Sequence, residues 1–181
     1  MVTIADREGS SSGLTHVDEH GKAHMVDVTG KPPTRRVAEA RCQVRTSADL
    51  PGVLGGSAAA AELIESARFA GILAAKKTSS LIPLCHPIRI DGVTVEVMAT
   101  SDGFRIVATA SITERTGVEM EALTACAAAA LVLIQPILEA DASASIEELT
   151  LWRKTGGRSG SWQRGDDGEM SGGDRPSGSR G

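Results

Sequence analysis

Residues 122–133, Ala-Leu-Thr-Ala-Cys-Ala-Ala-Ala-Ala-Leu-Val-Leu, are apolar with a single hydroxyl among them. A helix carrying this stretch has no polar face there, so it must be buried against a sheet or a partner subunit. The side chains are small. The 181-residue chain holds two Phe, two Trp and no Tyr, so its core is built from Ala, Val, Leu and Ile. Such residues allow helices to lie close on a sheet.

The rest of the chain supplies that sheet. From Ala38 the pattern alternates, with Ala38, Ala40, Cys42 and Val44 on one side and Glu39, Arg41, Gln43 and Arg45 on the other, as in a half-buried strand. After a turn over 51–57, Leu63, Ala67, Ala70 and Ala74 recur at helical spacing, and Lys76-Lys77 place cations at the C-terminal end of that helix. Residues 88–98 and 104–112 alternate on either side of Ser101-Asp102-Gly103, which reads as a hairpin. A second helix follows over 117–140 and a last strand over 146–152. The order strand, helix, strand, strand, helix, strand predicts an α+β fold of the ferredoxin-like, split βαβ type: an antiparallel sheet with its two main helices on one face. Composition divides the chain into a flexible leader over 1–13, one domain over 14–164 and a disordered tail over 165–181.

A net charge of −4 and a pI near 5.6 offer no general footprint for nucleic acid. Three widely spaced cysteines, Cys42, Cys85 and Cys126, fit reduced thiols rather than a disulfide framework or a zinc site. The N-terminal residues lack the features of a signal peptide, and no run reaches the ~18 apolar residues of a membrane span. The expectation is a cytoplasmic protein with no membrane partner.

Chemistry concentrates in two stretches. Leu-Ile-Pro-Leu-Cys-His-Pro at 81–87 sets His86 among prolines, whose fixed φ angles stiffen the backbone around it. The ring is either a packed core histidine or a positioned acid/base group. In Thr-Gly-Val-Glu-Met-Glu at 116–121, Thr116 and Glu119 have the spacing of a reciprocal helix cap. Glu119 is then structural, and Glu121 is left in the first turn as a functional carboxylate. Cations gather as Lys31 with Arg35-Arg36, as Lys76-Lys77, and as Lys154 followed by Gly156-Gly157-Arg158-Ser159-Gly160. Singly these read as solvated charges; together in an acidic chain they point to a polyphosphate ligand. His16, His20 and His24 raise a metal site, but their spacing matches no ligand signature and a polar loop is the preferred reading. No metal and no cofactor is assigned.

Met25-Val-Asp-Val28, Ala67-Arg-Phe-Ala-Gly-Ile72, Ala74-Ala-Lys-Lys-Thr-Ser-Ser-Leu-Ile-Pro-Leu-Cys-His-Pro87, Thr116-Gly-Val-Glu-Met-Glu-Ala-Leu-Thr-Ala125 and Lys154-Thr-Gly-Gly-Arg-Ser-Gly160 resemble the MoaC-type cyclic pyranopterin monophosphate synthases of molybdenum cofactor biosynthesis. The resemblance implies a lyase that converts 3′,8-cyclo-7,8-dihydro-GTP to cyclic pyranopterin monophosphate and pyrophosphate. It further implies a homohexamer, a trimer of dimers, with the site at a subunit interface. By motif, His86, Glu121 and Arg36 resemble the catalytic set, while Leu84, Cys85, Met120, Lys31, Lys76 and Lys154 resemble substrate-binding positions. The chain departs from the family pattern at three ionisable positions: a lysine is Ala60, an aspartate is Gln135 and a second lysine is Leu138. Each loss of a proton-transferring or phosphate-holding group is expected to cost on the order of a hundredfold in rate. Two other readings follow, a divergent lyase on a related cyclised nucleotide and a catalytically silent nucleotide-binding paralogue. Pro136 is expected to bend the second helix.

Overall fold

A computed structural model describes residues 20–157, 160–165 and 170–172. The expected leader, His16, Arg158, Ser159 and most of the expected tail lie outside the described residues. The chain runs β1 (Thr34–Arg45), α1 (Leu50–Val53), α2 (Ser57–Ala75), α3 (Thr78–Leu81), β2 (Gly92–Thr100), β3 (Gly103–Glu114), α4 (Glu119–Ile137), β4 (Ser145–Thr155), β5 (Trp162–Arg164) and β6 (Met170–Gly172). The six strands form one sheet in the order β2-β3-β1-β4-β5-β6, every pairing antiparallel. Its first four strands, with α2 and α4, are the expected split βαβ frame. The strand expected from residue 88 begins at Gly92, and Met170–Gly172, within the expected tail, pairs with β5.

The alternation of β1 is realised: Ala38, Ala40, Cys42 and Val44 are at most 1% exposed, facing α4. From α4, Ala122, Ala125, Cys126, Ala129, Ala130 and Leu133 are fully buried against them. By length and composition α4 could cross a membrane, but here it is the core helix on the sheet. Small residues set the spacing. A Cβ on Gly71 of α2 would stand 2.8 Å from the Ala125 carbonyl oxygen, so the helices meet backbone to backbone. On the opposite sheet face Glu39 is only 7% exposed, because Arg41 and Arg153 close over its carboxylate at 2.6 and 2.9 Å.

The two ends of the sheet differ. β1 and β3 are antiparallel, and α2 and α4 each carry the chain back along the sheet, so the helices are antiparallel too. The N-terminus of α2 and the C-terminus of α4 therefore share one end with Arg45, Asp102 and Asp141. There Asp141 accepts hydrogen bonds from Thr46 Oγ1 at 2.7 Å and Ser47 N at 2.8 Å. The N-terminus of α4, the start of β1 and the end of β4 share the other end.

Candidate active site

At that second end lies a cavity of about 260 Å³ lined by Val26, Val28, Lys31, Arg36, Leu84, Cys85, His86, Ile88, Arg115, Thr116, Gly117, Glu119, Met120 and Glu121. Four pieces of chain meet there: the segment before β1, the start of β1, the loop between α3 and β2, and the passage from β3 into α4. Seven of the sequence candidates, Lys31, Arg36, Leu84, Cys85, His86, Met120 and Glu121, are brought together. Lys154 is next door, lining a smaller hollow that shares Arg36, Gly117 and Glu119 with the first. Lys76 is not brought in; it caps the C-terminus of α2 and is exposed.

The loop holding His86 is fixed by local turns, with Cys85 N donating to the Ile82 carbonyl at 3.0 Å. The ring nitrogen Nε2 lies 2.9 Å from the Val26 carbonyl oxygen. Asp27, beside it, accepts from Thr29 N and Thr29 Oγ1 at 2.9 and 2.8 Å. Those bonds, the backbone one foremost, hold its carboxyl below the ordinary carboxylate value, and the nearby His86 adds to the effect.

The expected reciprocal cap does not form. Val118 is the N-cap of α4 and no side chain caps the helix. Glu119 instead meets Lys154 Nζ at 3.2 Å, because the end of β4 brings an ammonium within reach of the first helical turn. A charged ammonium outcompetes the backbone N–H of Thr116 that a reciprocal cap would offer this carboxylate. Among the described residues Glu121 has no such partner, and it is 4% exposed. Burial above all, with repulsion from Glu119, lifts its carboxyl from 4.5 to about 7, against the pull of its own backbone N–H. A carboxyl titrating near neutrality can both give and take a proton. Burial and the neighbouring Glu121 push the Cys85 thiol up, so it stays a thiol rather than a thiolate nucleophile.

Arg36 is locked in place. Its Nε and Nη2 donate to the carbonyls of Glu114 and Arg115, both at 3.1 Å. A Cβ on Gly157 would come within 2.4 Å of Arg36 Nη1, and Gly157 has φ 73°. The glycine at 157 thus makes room for the guanidinium. Arg115, which the sequence reading passed over, is a further cation of the cavity; its only signal was its place directly before Thr116. Lys31, Arg36 and Arg115 face one carboxylate already neutralised by Lys154 and one that is half protonated near neutral pH. The cavity therefore favours an anion although the chain is acidic overall.

The positions that depart from the family pattern are elsewhere. Gln135 is fourteen residues along α4 from Glu121, about 21 Å at the helical rise. Ala60, in the first turns of α2, and Leu138, the C-cap of α4, belong to the same far end. α4 continues through Pro136 and ends one residue later, at Ile137.

An antiparallel split βαβ sheet with a cation-lined cavity at the N-terminus of its second helix defines an α+β protein of the ferredoxin-like class. The family model of the MoaC family matches residues 25–157, which takes in every segment of that cavity. The chain belongs to the MoaC family. It is 48% identical over 151 residues to a cyclic pyranopterin monophosphate synthase of Novosphingobium aromaticivorans, covering 83% of this chain and 96% of that one. Against the synthases of the same name from Streptomyces avermitilis and Thermomicrobium roseum the identities are 45% over 152 residues and 47% over 157. The matches cover 83% and 85% of this chain, and 89% and 95% of theirs.

Proposed function

We propose that this chain is a lyase of the cyclic pyranopterin monophosphate synthase type. It would take a purine-derived cyclised nucleoside triphosphate, 3′,8-cyclo-7,8-dihydro-GTP, and release pyrophosphate as the cyclic phosphate and pterin form. The observation that carries the reading is the convergence of His86, Glu121, Lys31, Arg36 and Arg115 on one cavity. Lys31 and Arg36 supply charge for the phosphates, with Lys154 in reserve beside them and Arg115 adding to the positive field while bonded to the Thr29 carbonyl. Leu84, Cys85 and Met120 line the floor on which the base rests. His86 and Glu121 move the protons that ring opening and phosphate closure require, Glu121 because it titrates near 7. Three free thiols fit a cytoplasmic setting.

The far-end placement of Ala60, Gln135 and Leu138 supports assembly from several copies, since about 21 Å of helix separates Gln135 from the cavity of its own subunit. Exposed Phe69 and Leu73 on α2, and Leu131 and Leu138 on α4, offer apolar surface for it, and a trimer of dimers is the expected form. The same three positions favour a second reading. With Ala, Gln and Leu there, a homo-oligomer binds the nucleotide without supplying a second set of ionisable groups, and the chain is then a silent paralogue or acts on a related nucleotide.

The test is pyrophosphate release and pterin formation by the purified full chain on enzymatically generated 3′,8-cyclo-7,8-dihydro-GTP, beside the triple variant Ala60→Lys, Gln135→Asp, Leu138→Lys. Turnover by the wild type at an enzyme-like rate supports the lyase. Turnover by the triple variant alone supports the silent paralogue. Neither turnover nor binding of the nucleotide by either protein sinks both.

A further inference from the structure

Arg115 connects the pieces of chain that hold His86. Its Nη1 donates to the Thr29 carbonyl at 2.9 Å, and its own carbonyl accepts from Arg36 Nη2 at 3.1 Å. Thr29 belongs to the turn closed on Asp27, and three residues before it the Val26 carbonyl meets His86 Nε2 at 2.9 Å. Residues 24–33 form no helix or strand. A β-bridge at Ala23 anchors the start of this segment, and among the described residues the side-chain hydrogen bonds that reach residues 24–33 from elsewhere in the fold are those two, one from Arg115 and one from His86.

The contact with Val26 fixes more than a ring orientation. A carbonyl oxygen can only accept, so Nε2 carries the proton, and in the neutral imidazole Nδ1 is then the nitrogen with the free lone pair. Among the described residues no donor meets Nδ1. We propose that Arg115 is a positioning residue: by holding the Thr29 carbonyl it keeps the Val26 carbonyl on Nε2 of His86, so that the ring presents Nδ1 to the cavity as proton acceptor. On abstraction the proton passes to Nδ1 and its electron pair stays with the substrate atom. The imidazolium so formed keeps its bond to Val26 and faces the ionised Asp27. The acceptor role rests on the function proposed above; the tautomer does not.

The experiment is a two-bond proton–nitrogen NMR correlation on the full chain labelled with ¹⁵N-histidine, at about pH 9, above the ordinary histidine range. The His86 signals are identified by their loss in His86→Asn. The wild type is expected to show a protonated Nε2 and an unprotonated Nδ1. Arg115→Met should move both signals toward the average of two exchanging tautomers and lower kcat at least tenfold. Arg115→Lys, which keeps a donor within reach of Thr29, should restore the wild-type pattern in part and serves also if the methionine variant fails to fold. A wild-type ring protonated at Nδ1 overturns the proposal. So does an Arg115→Met protein with an unchanged tautomer and a raised KM alone, which would make Arg115 a phosphate anchor. If the wild type has no turnover, the NMR comparison still decides the tautomer and the role of Arg115 in setting it.

Discussion

Lys154 Nζ lies 3.2 Å from Glu119 Oε1, joining the end of β4 to the first turn of α4. The pair divides the labour of two carboxylates placed two residues apart. Glu119 is paired with an ammonium, while Glu121, buried and with no cation beside it among the described residues, titrates near 7. Both partners remain about a third exposed, at 29% and 32% of their side chains, so the bond itself is expected to stabilise the fold by less than about 1 kcal/mol. Lys154→Met should therefore cost little in urea denaturation but leave Glu119 unscreened beside Glu121. The carboxyl of Glu121 should then titrate higher still, read by carbon NMR of the labelled side chain; a downward move refutes the division.

Glu121 carries a pH signature. An unfolded chain releases this proton near 4.5, the native protein only near 7, so between those values the native state binds more protons and stability falls as pH rises. The cost is absent below about pH 4.5 and complete above about pH 7, where it reaches about 3 kcal/mol. Glu121→Gln should match the wild type at pH 4.5, melt higher at pH 8, and lose at least a hundredfold in rate. A variant that melts lower at pH 8 would show the carboxylate to be a structural partner instead.

Gly71→Ala runs against helix propensity. In an exposed helix the change stabilises by about 1 kcal/mol. Here the new methyl would stand 2.8 Å from the Ala125 carbonyl oxygen and 3.0 Å from Val95 Cγ2, and a backbone atom cannot swing aside. A loss of about 1–3 kcal/mol is expected as α2 is pushed off α4, measured from the denaturation midpoint at unchanged slope.

Two lysines that look alike in the sequence should behave differently. Lys31 lines the cavity, and among the described residues its ammonium has no hydrogen-bond or salt-bridge partner, whereas Lys76 sits exposed at the end of α2. Lys31→Met should weaken binding of the nucleotide about tenfold, roughly the 1.5–3 kcal/mol of a charge-assisted hydrogen bond less its exchange with water. Lys76→Met should leave affinity within a factor of two. Calorimetric titration at fixed ionic strength compares them, and equal losses would return Lys76 to the site.

Much of the frame was legible because it rests on local periodicity. Ala38, Ala40, Cys42 and Val44 alternate in the sequence and are all buried in the fold; Asp102-Gly103 turns the hairpin where a turn was expected, with Gly103 at φ 146°. His86, Glu121, Lys31 and Arg36 could be singled out because residue type and local stiffness already mark a group that can move protons or hold phosphate.

What the sequence could not settle were relationships between residues far apart in the chain. Thr116 and Glu119 have the spacing of a cap, yet Lys154, thirty-five residues on from Glu119, takes the carboxylate. Glu39 falls on the polar side of its strand and is buried because Arg153 of β4 lies across it beside its own strand's Arg41. Arg115 has no motif of its own and gains its place from contacts with Thr29 and Arg36, eighty-six and seventy-nine positions away. Periodicity records which way a side chain points along its own element. Charge pairing, desolvation and hydrogen bonding depend on distance in space, and that distance is set only when the sheet closes and brings β1, β3 and β4 to the N-terminus of α4.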